Sequence, residues 1–168
     1  MYHLKPIPVD AVDAALAKAE RYRLLNEGAI AESICDDVLA LNAGHQPALV
    51  MKMLAITDQF LEEGIGQRTA RALDLVSRLE TAYDRAYYEG IVHERRGRAH
   101  LGNGGPAAGG LAYDSFETAL SCFARAIDHS PPGTADAVLR WNACVRTLRH
   151  HPELQPQARE PEAVIESE

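Results

Sequence analysis

Positive charge is scarce in this chain of 168 residues: 17 lysines and arginines stand against 24 aspartates and glutamates, for a formal net charge of −7. Neutralising the phosphates of a nucleic acid takes a basic surface, so general nucleic-acid binding is excluded and only local basic patches remain. Cysteine is scarce too. Cys35, Cys122 and Cys144 are odd in number, far apart and each inside a predicted helix. That pattern argues against a disulfide framework, favours a reducing compartment and makes each a small core residue. The seven histidines and three cysteines include no Cys-x-x-Cys, no His-Glu-x-x-His and no histidine pair four apart on one helix, so no metal site is expected. No run of apolar residues approaches the length of a membrane span, and Met1 to Pro8 lacks the apolar stretch of a signal peptide. No membrane contact is expected, and the cytoplasm is the default location. No nucleophile stands beside a plausible base, so neither catalytic residues nor a cofactor are expected.

What is present is an ordinary globular composition, 46% hydrophobic and 24% charged. One domain of this size buries roughly 70% of its unfolded surface, enough for a core without staples. The clearest element is Asp114 to Pro132. Phe116, Ala119, Leu120, Phe123, Ala126 and Ile127 recur at helical spacing with Glu117, Thr118, Ser121, Arg125 and Asp128 opposite them. Asp114 and Glu117 suit a capping box, and Pro131 and Pro132 cannot continue the helix.

Six further helices are expected. After an extended segment over residues 1–9, Asp10 caps a helix of about 11–26 carrying Ala15, Leu16, Ala19, Tyr22 and Leu25, ended by Gly28. Ile30, Ile34, Val38 and Leu41 mark a second, closed by a left-handed Gly44. Pro47 opens a third with Leu49, Val50, Met53, Leu54 and Phe60, which stops at Gly64; Gly66 opens a fourth over about 67–80. The boundary to a fifth, about 84–101, carries neither glycine nor proline. Residues 102–110 are too glycine-rich for regular structure and read as a flexible insertion in a hairpin turn. Thr134 caps a seventh helix with Val138, Trp141, Val145 and Leu148. Residues 152–168 hold five glutamates, three prolines and one arginine, the composition of a disordered acidic tail.

The chain also repeats itself. Leu25-Asn26-Glu27-Gly28, Leu61-Glu62-Glu63-Gly64 and Glu94-Arg95-Arg96-Gly97 end successive first helices, their glycines 36 and 33 residues apart. In the third unit Tyr87-Tyr88-Glu89-Gly90, His93 and Gly97 are followed by Ala119, Phe123, Ala126 and Pro131. In the first unit Tyr22, Ala31 and Val38 fit the same pattern, while Cys35 and Ala43 replace its aromatic and proline; in the second, Leu49 and the glycines fit. Period and pattern resemble the tetratricopeptide repeat family, over residues 10–151.

That resemblance implies an all-α solenoid of antiparallel hairpins in a right-handed superhelix, with first helices lining a concave groove that binds a protein or peptide. By the same analogy the groove carries Leu16, Glu20 and Arg23, then Val50 and Leu54, then Tyr87, Ile91, Arg95 and Arg98, then Leu139, Ala143 and Arg146. Its arginines suit a segment with acidic groups. The expected function is a non-enzymatic interaction module or scaffold.

Competing features are weaker. Gly102-Asn103-Gly104-Gly105-Pro106-Ala107 formally fits a dinucleotide fingerprint but lacks the strand that should precede it. A helical small-molecule binder or enzyme using that loop as a lid near Arg95, Arg98 and His100 is the alternative. Two further expectations concern the ends of the chain. The acidic tail can occupy the groove of its own or a neighbouring molecule, and the last helix, lacking a polar outer cap, allows self-association.

Overall fold

The computed structural model describes residues 2–62 and 64–154. Among these there are seven α-helices and no strand: α1 (Val12–Leu24), α2 (Gly28–Leu41), α3 (Gln46–Asp58), α4 (Ile65–Ser77), α5 (Ala82–Asn103), α6 (Ala108–Asp128) and α7 (Asp136–His150). Each helix packs on the next, and α3 also touches α1 and α5. The result is an all-helical, solenoid-like stack of three antiparallel hairpins closed by α7.

Helix α3 is central because both its flanks are apolar. Ala55 joins Ala19, Ala31 and Cys35 of the first hairpin. On the other side Leu49, Met53, Ile56 and the following Phe60 pack with Ala72, Leu75 and Val76 of α4 and Val92 and Ala99 of α5. A third cluster joins Ile91 of α5 to Ala112, Phe116, Ala119 and Phe123 of α6 and Cys144 of α7, with Trp141 partly buried against it.

The hairpin of α5 and α6 is set by size complementarity. A Cβ on Gly90 would lie 2.5 Å from the Phe123 ring, and one on Gly97 would lie 3.0 Å from the Phe116 ring. Both glycines on α5 and both phenylalanines on α6 are seven residues apart, so the two pairs fall on one antiparallel register. Each ring sits in the hollow that a missing side chain leaves.

Several local expectations change. Residues 102–110 are not all irregular: α5 runs to Asn103 and α6 begins at Ala108, leaving four residues, with left-handed Gly104 and Gly105 making the turn. Pairing across the hairpin outweighs the helix cost of Gly109 and Gly110, about 1 kcal/mol each. Asp114 therefore caps nothing; it lies inside α6, where its carbonyl accepts a 2.8 Å hydrogen bond from the Thr118 hydroxyl.

Asp10 and Thr134 also make no cap. A 3-10 turn over Val9–Ala11 feeds α1, and the Thr134 hydroxyl donates to the Pro131 carbonyl at 2.7 Å. Gly28 starts α2, while Asn26, at φ 61°, makes the preceding turn. Helix α2 closes through an extended Asn42 rather than a left-handed Gly44, and α3 ends six residues before Gly64, which instead caps the start of α4 at φ 84°. The unmarked boundary before α5 is a threonine cap: Thr81 Oγ1 accepts from the Asp84 amide at 2.9 Å and donates to the Asp84 carboxylate at 2.6 Å. The expected tail lies outside the described residues from 155 onward. Its first part is not a bare tail, since Leu154 is buried in the α5–α6–α7 core against Gly109.

Candidate functional site

Three helices converge on Asp58, the last residue of α3. The final turn of α1 brings Arg23, whose Nε donates to Asp58 Oδ2 at 2.7 Å and whose Nη2 donates to Oδ1 at 3.3 Å. From α5, Arg95 Nη1 donates to Asp58 Oδ1 at 2.5 Å, to Thr57 Oγ1 at 2.7 Å and to the Leu54 carbonyl at 3.2 Å. A carboxylate at a helix C-terminus faces unpaired carbonyls, so two cations there satisfy both. Burial pulls the Arg95 guanidinium below the usual arginine range and Asp58 opposes it. Arginine starts high enough to remain a cation.

A second cluster forms on Glu94, whose side chain is only 1% exposed. Its spacing of four from Arg98 puts both on one face of α5. Arg98 Nε and Nη2 donate to Glu94 Oε1 at 3.1 and 2.9 Å, while Arg140 of α7 approaches Oε2 at 3.5 Å. A buried carboxylate is costly unless charge and hydrogen bonds compensate it, and here two helices supply both. Burial disfavours the Arg140 cation, but Glu94 and Tyr87 outweigh it and raise its pKa.

Each cluster holds two arginines on one carboxylate, so each keeps one uncompensated positive charge. Arg98 and Arg140 remain 52% and 40% exposed. Two open clefts meet at Arg98. One, of about 230 Å³, is lined by Thr57, Asp58, Phe60, Leu61, Arg95, Arg98 and Ala99. The other, of about 420 Å³, is lined by Arg98, Leu101, Arg146, Thr147, His150 and His151. Arg146 has no acidic partner among the described residues; its carbonyl accepts from His150 Nδ1 at 2.6 Å. Together they form a cationic trough across α3, α5 and α7 in a chain whose net charge is −7. All basic residues but Lys5, Lys18 and Lys52 are arginines, the side chain whose fork matches a carboxylate.

The chain matches no family model, no curated protein and no solved structure significantly.

Of the residues expected to line a groove, Arg23, Arg95, Arg98 and Arg146 reach this trough or its clusters. Arg23 and Arg95 serve chiefly as internal fasteners on Asp58. Leu54 and Val50 are partly buried against the α3–α4–α5 core, and Tyr87 stacks on Tyr83 at a ring separation of 5.6 Å. Ile91 is corrected: at 3% exposure it belongs to the core and offers nothing to a partner. Leu139 is 62% exposed and stands clear of either cleft.

Sequence reasoning missed Asp58, an acid that spacing alone does not connect to Arg23 or Arg95. It also missed the role of Glu94, whose one available signal was the Glu-x-x-x-Arg spacing. The loop invoked by the small-molecule alternative is shorter than expected, with residues 104–107 between the two helices. Burial pushes the Cys35 and Cys144 thiols up to about 12, so neither supplies a thiolate near neutral pH. Among the described residues no three of His, Cys, Asp and Glu gather as metal ligands, and no helix is long and apolar enough to cross a membrane.

Proposed function

We propose that this chain is a non-enzymatic, tetratricopeptide-like interaction module of a reducing compartment. Its arginine trough holds an acidic segment of a protein partner. The observation that carries this reading is the surplus of positive charge: Arg98 joins the two clefts half-exposed, and Arg146 faces the larger one without an acidic partner among the described residues. Carboxylates of an extended peptide complete these forks by charge-assisted hydrogen bonds, and Leu61 and Leu101 give apolar footing beside them. The free, buried Cys35, Cys122 and Cys144 accord with a reducing environment.

The test is fluorescence anisotropy of a labelled glutamate-rich peptide with the wild type and with an Arg98→Gln, Arg146→Glu variant. Arg95→Glu would break the Asp58 cluster and confuse unfolding with lost binding, whereas Arg98→Gln keeps an amide donor for Glu94 and leaves Arg140 beside it. The expected result is saturable binding that weakens as salt rises and falls at least about tenfold in the variant, the loss of two charge-assisted pairs. Equal binding by both proteins, with the variant folded by circular dichroism, overturns the reading.

A further inference from the structure

The trough has an acidic segment at its own doorstep. His150 and His151 line the larger cleft, and the chain turns directly from them into Pro152. The first acid of that stretch, Glu153, pairs with a residue of the cleft wall, its Oε1 2.8 Å from His151 Nδ1. Leu154 is then held in the α5–α6–α7 core, with its amide donating to the His151 carbonyl at 3.0 Å. The described chain thus ends at Leu154, three residues after His151 of the cleft wall.

Residues 155–168 carry Glu160, Glu162, Glu166 and Glu168 against Arg159 alone, opposite in sign to the surplus at Arg98 and Arg146. At roughly 3.3 Å per extended residue the segment reaches about 46 Å, so length does not prevent it from running along the trough. Tethering by a short linker gives it an effective concentration in the millimolar range, which lets weak pairing compete.

We propose that residues 155–168 occupy the arginine trough of their own molecule, so that a partner's acidic segment must displace them. This inference rests on the proposed function, as both use the same arginines, but it has its own readout.

Full-length wild type is compared with a full-length variant carrying Glu160→Gln, Glu162→Gln, Glu166→Gln and Glu168→Gln. First, amide NMR signals of residues 98–101 and 146–151 are recorded without added peptide. They should differ between the two proteins at low salt, converge at high salt, and not change with protein concentration. Second, the labelled glutamate-rich peptide is titrated into both, and the variant should bind on the order of fivefold more tightly, as expected when a millimolar internal competitor is removed.

Identical signals and equal peptide affinity overturn the tail inference while leaving the proposed function standing. Signal differences without peptide binding by either protein uphold the tail inference and overturn the proposed function. Differences that grow with protein concentration overturn occupancy within one molecule in favour of a second copy.

Discussion

The seam between α5 and α6 and the seam across α1, α3, α5 and α7 are built from opposite materials. In the first, Phe116 and Phe123 fill the space opposite Gly97 and Gly90, and its specificity is one of volume. In the second, Asp58 and Glu94 each gather two arginines, and its specificity is one of charge. A volume seam is satisfied once closed and presents nothing outward. The charge seam closes with cations left over, and that surplus is what the proposed function rests on. Glu94 lies on α5 between Gly90 and Gly97, so the two seams share that helix, and four mutational or pH experiments probe the contrast between them.

The largest effect should come from Phe123→Ala. Emptying the hollow at Gly90 should cost about 3–5 kcal/mol, seen as a lower urea midpoint that is nearly the same at low and high salt. Glu94→Ala comes next. Arg98 and Arg140 are exposed enough to regain water, so the loss should fall below the usual 3–5 kcal/mol for a broken buried pair, at about 1–3 kcal/mol. Its midpoint should also lose the part of the wild type's salt dependence that the Asp58 cluster and the surface pairs do not carry; an unchanged salt dependence would show that the Glu94 cluster does not act through charge.

Gly90→Ala should destabilise by about 1–3 kcal/mol through overpacking. Adding Phe123→Leu should recover part of that loss. If the double mutant is instead additive, the register described here does not depend on this pair.

The smallest effect is one of pH. Burial pulls His93 below the ordinary histidine value near 6.5, with Glu89 opposing and Arg96 assisting, and burial with Arg96 does the same to His100. A depressed folded pKa means that the unfolded chain takes up the proton first as pH falls. The stability these groups supply is present above the unfolded value and is lost as pH falls through about 6.5 toward the folded values. The urea midpoint should therefore drop on acidification below pH 6.5, and His93→Gln should flatten that part of the profile.

The elements most legible in the sequence were those whose signal is local. Pro47 does open α3, where the His45 ring accepts from the Ala48 amide, and Pro152 does follow α7. Gly90, His93 and Gly97 were visible in the repeat pattern of the third unit. Glycine misled wherever context decided: Gly109 and Gly110 are helical because Leu154, Ala112 and Phe116 pack around that turn, and Gly28 starts a helix because a Cβ there would lie 2.9 Å from Gln59. Capping misled as well, since Asp114 lies inside α6, Asp10 lies in the 3-10 turn before α1, and the Thr134 hydroxyl is turned to the Pro131 carbonyl.

Alternating apolar and polar stripes with short connections determined by themselves that the chain is all-helical and made of antiparallel hairpins, because that periodicity has one economical solution. The abundance of arginine on the first helices was also written in the chain. Which arginines are consumed within the protein was not. Arg23 and Asp58 are separated by 35 residues, and Glu94 and Arg140 by 46. A charge at one point in the chain carries no record of the partner that packing will bring to it. Only the tertiary structure decided that Arg23 and Arg95 hold Asp58, that Arg98 stays half-exposed while it holds Glu94, and that Arg146 has no acidic partner among the described residues, since that depends on burial and distance.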